Sequence, residues 1–410
     1  MFRTFEAFAA LNLTIDMTRG KPASDQLAIC SSELVRALTL DELINACSVD
    51  LRNYGQPLGL LEARKLGADL LDLEAAHVVA DGNSSLALMH DAVMYALLFG
   101  FAGEGPWSAV REVSFLCPVP GYDRHFAICE AFGIKMIPVP LTGSGPDMDV
   151  VERLVASNPA IKGMWCNPCY SNPSGDIYSE DTVRRLATMH TAAKDFRLFW
   201  DDAYRFHHLT STEPAQPNII ERCNAAGHTD RPLVFMSFSK VAFAGAGIAF
   251  LASSLSNVEW WRQRVQIRSI GPDKVNQYRH VKLIKNSENL SLIMAAHRAI
   301  LRPKFSTVIE VFNGLLCGQP GVSWTAPQGG YFISLYCPAG LAKRTVELAA
   351  TLGIAITPAG AAFPYGNDPE DRHLRIAPSF PSLDEVKLAA EGIALSLLKA
   401  IEEDPIEQRP

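Results

Sequence analysis

The stretch VFMSFSKVAFAGAG (residues 234–247) runs from an apolar, strand-like segment through a single lysine, Lys240, into a string of small residues. Lysine is seldom buried without a partner or a task. Whether Lys240 has one depends on what the neighbouring segments bring beside it.

Working outward, the centre of the chain alternates β-rich runs with helical patterns. The runs are EVSFLCP (112–118), GIKMIPVPL (133–141), IKGMWCNP (161–168), FRLFWDDAY (196–204), PLVFMSFS (232–239) and GIAFLASS (247–254). Amphipathic segments such as SEDTVRRLATMHTAAKD (179–195) lie between them. This alternation predicts an α/β fold with a mostly parallel central sheet in a large domain, residues 46–285. Past it, a helical stretch over 275–315 leads to SWTAPQGGYFISLY, then helix, strand and helix to about residue 402. Residues 1–45 and 286–402 therefore read as a smaller α+β domain, and 403–410 as a solvated tail.

The chain has 410 residues, 48% hydrophobic and 20% charged, as expected of a soluble enzyme. Its net charge of −7 argues against nucleic acid or an anionic membrane as partner. The start has no apolar region with a cleavage site, and LALMHDAVMYALLFGFAG is too interrupted for a membrane span. Nine cysteines, an odd number at irregular spacing, suit a reduced, cytoplasmic protein. Cys166 and Cys169 have CxxC spacing, but no second pair or histidine cluster completes a zinc site, so no metal is expected.

Ligands of open α/β sheets sit beyond the carboxyl ends of strands. Tyr122 follows the first run on a Pro-Gly loop, and Asn172 follows the third in CYSNPSG. Asp201, Asp202 and Tyr204 close the fourth, and Lys240 follows the fifth. Upstream, Gly-Asn-Ser-Ser opens an apolar helix and offers free N–H groups and hydroxyls to an anion. An amine, a carboxylate, a phenol, an aromatic ring and a phosphate cradle are the parts that pyridoxal 5'-phosphate requires.

Here the motifs resemble a known family. SNPSG, DDAY, SFSK, NYGQPLGLLEAR and HLRIAPSF stand in the order found in fold-type I aminotransferases, and within them in the MocR-like or type Ic aspartate aminotransferases. The resemblance covers nearly the whole chain. It implies that Lys240 is the catalytic lysine that binds the cofactor's aldehyde, and that Asp201 pairs with the pyridinium nitrogen. Asn172 and Tyr204 would contact the phenolate oxygen, and Tyr122 would stack on the ring. Asn83, Ser84, Ser85, Ser237 and Ser239 would bind the phosphate. Tyr54 would reach the phosphate of the neighbouring subunit in a homodimer. Arg375 would clamp the substrate carboxylate, with Gly20 in a loop that closes over substrate. Arg268, from the partner, would read a substrate side chain.

One departure stands out. Relatives carry an arginine eight residues past the lysine that pairs with the phosphate; here Gly247 stands in its place, allowing one deletion. Lys274 is the candidate replacement. For a second substrate carboxylate the sequence offers Arg268, Lys274, Arg279 and Lys21. The residues of APQGGYF read as a tight turn, and His207 and His208 carry no assigned role.

The resemblance implies a ping-pong aminotransferase acting on an L-amino acid, aspartate by subgroup, and a 2-oxo acid, 2-oxoglutarate by subgroup. Alternatives are a β-lyase or decarboxylase on the same fold, or an aminotransferase-like sensor without catalysis.

Overall fold

A computed structural model describes residues 3–404; most of the tail expected at 403–410 lies outside them. In chain order the strands are β1 (Ile15–Met17), β2 (Val78–Ala80), β3 (Ser114–Val119), β4 (Lys135–Pro140), β5 (Ile161–Cys166), β6 (Arg197–Asp201), β7 (Pro232–Ser237), β8 (Ala249–Ala252), β9 (Ser323–Trp324), β10 (Ile333–Tyr336), β11 (Ile354–Ile356) and β12 (His373–Ile376). A seven-stranded sheet has the order β2-β8-β7-β6-β5-β3-β4. Strands β3 to β7 pair in parallel, and β8 alone runs antiparallel between β7 and β2. Burial on both faces explains the unbroken apolar runs.

Alternate residues feed opposite cores. Leu116, Met164, Leu198, Val234 and Met236 point into one cluster, while Phe115, Trp165, Phe199 and Phe235 point into the other. Each such side chain contributes about 2 kcal/mol of burial. A third cluster holds the small domain, where β10 lies between β9 and β12 and β1 pairs with β11. The N-terminal segment is divided between cores: Phe8, Ile15 and Met17 join the small domain, whereas Cys30 and Leu34 pack into the large one.

Two helices differ from their sequence patterns. The helix expected over 179–195 spans only Glu180–Thr188, because Met189 leaves helical geometry (ψ 143°). The chain then turns so that Ala192 donates to the Val155 carbonyl (2.8 Å), which brings Met189 and Ala193 into the core. The stretch expected over 275–315 is two helices, Lys274–Ile284 and Ser287–Leu316. Lys285 breaks them with a left-handed φ of 62°, and the Asn286 side chain caps the second by accepting from the Asn289 N–H (2.9 Å). No helix among the described residues is long and apolar enough to cross a membrane.

Candidate active site

Because β3, β5, β6 and β7 are parallel, their carboxyl ends share one edge, and β2 ends there too. That edge gathers Tyr122, Asn172, Asp201, Tyr204, Lys240 and the Asn83–Ser85 loop.

The ammonium of Lys240 lies 4.8 Å above the Tyr204 ring. The residue keeps partial exposure, yet dense surrounding protein lowers its pKa below the usual 10.5, an effect that the Asp201 charge partly opposes. Its backbone is held by a buried neutral network. The Lys240 carbonyl accepts from His207 Nε2 (3.2 Å) and from the Tyr331 hydroxyl (3.4 Å). The next carbonyl, of Val241, accepts from His297 Nε2 (3.0 Å). Gln26 Nε2 completes the set, donating to His297 Nδ1 (3.1 Å) and to the Tyr331 oxygen (2.9 Å). Burial holds His207 neutral, its pKa pulled down to about 3. His207, which had no assigned role, is thus a support of the lysine loop.

Asp201 is buried, and its Oδ2 accepts from His125 Nε2 (3.0 Å). The His125 ring stacks on Trp165 (4.4 Å between centroids, 6° between planes) and meets Tyr122 edge-on at 5.0 Å. The other oxygen, Oδ1, is buried without a hydrogen-bond partner among the described residues. Asp202 points away, as strand alternation requires, and pairs with Arg205 (2.8 Å). Asn167 ties two of these elements together: its Nδ2 donates to the Asp201 carbonyl (2.7 Å), and its Oδ1 accepts from the Asn172 N–H (2.6 Å). Burial pushes the phenols of Tyr122 and Tyr204 up, so both remain donors.

Ser84 caps the helix Ser85–Phe99, accepting from the Ala87 N–H (3.4 Å). Asn83 donates to the Gly245 carbonyl (3.0 Å), and Ser239 donates to the Asn83 carbonyl (2.9 Å). Ser237 donates to Ser239 (3.2 Å). Gly247 abuts this loop; a Cβ there would lie 3.3 Å from the Ser239 nitrogen and 3.4 Å from the Asn83 carbonyl oxygen. Neither the replacement candidate for the phosphate cation, Lys274, nor the expected reader of a substrate side chain, Arg268, is free within the chain. Lys274 donates to the Asn53 carbonyl, and Arg268 bridges Asp81 and Asp91.

Arg375 is buried and donates from Nη1 to Asp123 (2.8 Å) and Asn172 (3.5 Å), and from Nε to Thr357 (3.3 Å). Its guanidinium lies 5.1 Å from the Phe332 ring centroid. Nη2 makes no hydrogen bond among the described residues and remains for a ligand carboxylate. Gly20 comes against the same ring, where a Cβ would fall 2.5 Å from Phe332 Cζ. Gly329, expected in a simple turn, instead bridges to His208, and a Cβ there would collide with the Tyr170 ring at 2.2 Å. Tyr54 is not brought to this site within the chain. Its side chain is 82% exposed.

Cys166 and Cys169 are buried, and burial pushes both thiols up, away from the thiolate.

The arrangement fits pyridoxal 5'-phosphate. Asp201 Oδ1, buried and unpartnered, suits a pyridinium N–H. Lys240 offers an amine without a hydrogen-bond partner among the described residues, and the hydroxyls of Ser84, Ser85, Ser237 and Ser239 with a helix N-terminus suit a phosphate.

Comparison with known proteins agrees. The family model described as aspartate amino-transferase matches residues 2–409. A Mycolicibacterium smegmatis protein, provisionally named an aminotransferase, is 48% identical over 403 residues, covering 98% of this chain and 94% of that protein. An aspartate aminotransferase of Corynebacterium glutamicum is 43% identical over 402 residues, covering 98% and 93%. A crystal structure of an aspartate transaminase from Corynebacterium glutamicum superposes with a TM-score of 0.94 at 43% identity, covering 97% and 94%. Matched along almost its whole length, the chain belongs to the aspartate amino-transferase family, the transaminases that work with pyridoxal 5'-phosphate.

Proposed function

We propose that the protein transfers the amino group of L-aspartate to 2-oxoglutarate by a ping-pong mechanism, as a homodimer of the MocR-like, type Ic subgroup in the cytoplasm. The observation that carries this reading is the convergence of Lys240, Asp201 and Arg375 on one sheet edge, with an oxygen of Asp201 and a nitrogen of Arg375 left unengaged. The name of the Corynebacterium glutamicum relative supports aspartate.

When bound, pyridoxal 5'-phosphate supplies an electron sink for charge that develops at the substrate Cα. The chain's own residues do the rest. Asp201 would face the pyridine nitrogen and keep it protonated, with His125 fixing its carboxylate and Asn167 its backbone carbonyl. Tyr122 would cover the ring, and Asn172 and Tyr204 would hold its phenolate oxygen. Asn83, Ser84, Ser85, Ser237 and Ser239 would hold the phosphate. Arg375 takes the substrate α-carboxylate in a charge-assisted pair, aligning the Cα–H bond with Lys240 Nζ. Lys240, biased toward its neutral form by desolvation, would take the proton from the substrate Cα at its Nζ. Closure of the segment around Gly20 over Phe332 excludes water.

The second carboxylate of aspartate needs a second cation. Among the four basic residues considered, Lys21 is best supported. Arg268 and Lys274 are engaged, and Arg279 lines an opening with Glu33 and Lys282. Lys21 makes no direct ion pair among the described residues, although its charge acts on Asp16. It stands 3.7 Å above the Phe380 ring, five residues past Arg375. The test is a panel of amino donors with 2-oxoglutarate. A kcat/KM for aspartate well above those for alanine and phenylalanine is the expected result. Equal use of alanine would remove the need for Lys21 and for the aspartate assignment.

A further inference from the structure

At the amino-terminal edge of the central sheet, opposite Lys240, lies a groove of about 490 Å³ whose lining includes His190, Lys194, Arg197, His228, Asp230 and Arg231. Arg197 opens β6 and Arg231 immediately precedes β7, the two strands whose far ends carry Asp201 and lead to Lys240. Both arginines are buried, at 6% and 5% exposure. Neither makes an ion pair with a carboxylate among the described residues. Arg197 donates only to the Phe196 carbonyl (3.2 Å), its Nε has no partner, and one face lies 4.1 Å above the Phe101 ring. Arg231 donates to the Leu186 and Ala187 carbonyls (3.0 and 2.9 Å).

The nearby acids are already engaged. Asp195 holds Lys162 (2.6 Å) and the Trp107 indole (2.8 Å). Asp230 accepts from the Ser254 hydroxyl (2.5 Å). The charges of Asp230, Asp195 and Glu104 act on Arg197 from a distance, but none pairs with it, and a buried guanidinium without a direct ion pair is costly. Burial pushes both arginines below their usual range, Arg197 to about 10. The groove thus offers three cationic side chains, Lys194, Arg197 and Arg231, and two imidazoles against one carboxylate, and the two arginines are forks matched to a tetrahedral oxyanion. Its size falls within the range of about 300–1,000 Å³ usual for small-molecule sites.

We propose that this groove binds a small anion bearing a phosphate group, at a site separate from the cofactor's. Free phosphate and a phosphate monoester share the chemistry. The test is calorimetric titration of the cofactor-loaded enzyme, so that the cofactor's own phosphate cradle is filled. Inorganic phosphate and glycerol 3-phosphate are titrated at constant ionic strength, with chloride as the control. The second protein is the His190→Ala/Lys194→Ala double variant, which removes an imidazole and an ammonium from the rim and leaves the buried arginines in place. Saturable binding weakened about tenfold or more in the variant, with transaminase activity unchanged, is expected. Tighter binding of the monoester identifies an ester as the occupant, and equal binding identifies free phosphate. No saturable heat at millimolar concentration, or binding indifferent to the double substitution, overturns the assignment.

Discussion

Lys240 and Tyr54 sit on two loops that are held in opposite ways. Around Lys240 the carbonyls of residues 240 and 241 are fixed by His207, Tyr331, His297 and ultimately Gln26, all buried. Around Tyr54 only the backbone is fixed. Lys274 holds the Asn53 carbonyl, and Gly271 lies so near Gly55 that a Cβ would fall 2.0 Å from its carbonyl oxygen. The Tyr54 ring itself is left in solvent. A side chain used within its own chain is supported by distant side chains of that chain. A side chain offered to another subunit needs a rigid backbone and a free ring. The proposed dimer follows from reading the second loop in this way.

The comparison breaks first at the lysine. Lys240→Ala removes the amine and the base together, and turnover should fall by ~10⁴-fold while the melting temperature stays close to wild type. Residual turnover within tenfold of wild type would place the base elsewhere. Next in size is Asp201→Asn, which removes the charge facing the pyridine nitrogen. A loss of roughly 10²-fold is expected, with weaker retention of the cofactor on dialysis.

The two loops can be tested against each other by mixing subunits. Lys240→Ala and Tyr54→Ala chains, refolded together, should form hybrids with one intact site, so activity above either parent appears, approaching about a quarter of wild type. No recovery on mixing would show that Tyr54 serves its own subunit or none.

These roles were unevenly legible in the sequence. The strands and the residues at their ends were readable because each motif is local: a strand, a turn and a side chain within a few positions. The gathering of Tyr122, Asp201 and Lys240 followed from parallel topology. His125, Asn167 and Gln26 were not readable. Gln26 is 271 residues from His297 and 305 from Tyr331, and no local pattern announces such a partner. His125 stands three residues past Tyr122, yet its bond to Asp201 spans 76 residues. The helix ends at Thr188 and Ile284 were missed because both segments stay amphipathic past the break. What ends them is tertiary: Ala192 bonding to Val155 in one, and Lys285 with the Asn286 cap in the other.

A smaller effect sharpens the support network. Gln26→Leu leaves His297 Nδ1 without a donor and should cost about 1–3 kcal/mol of stability. It should also lower kcat severalfold and shift the pH dependence of the cofactor's visible band; an unchanged band would make Gln26 structural only. The least is acid sensitivity. His207 is pulled from 6.5 to about 3 in the folded protein, so the unfolded chain binds the extra proton between those values. Stability therefore falls as pH drops from 6.5 toward 3, by on the order of 1 kcal/mol per pH unit from this group. His207→Gln should flatten part of that slope in thermal melts taken across the window.

The most direct test of the central claim is the visible absorbance of the purified protein supplied with pyridoxal 5'-phosphate, before and after L-aspartate and then 2-oxoglutarate. The account predicts a yellow band that is lost with aspartate and restored by 2-oxoglutarate, and that is absent in Lys240→Ala. A protein that shows no such band, or a band unchanged by any amino acid, would contradict it.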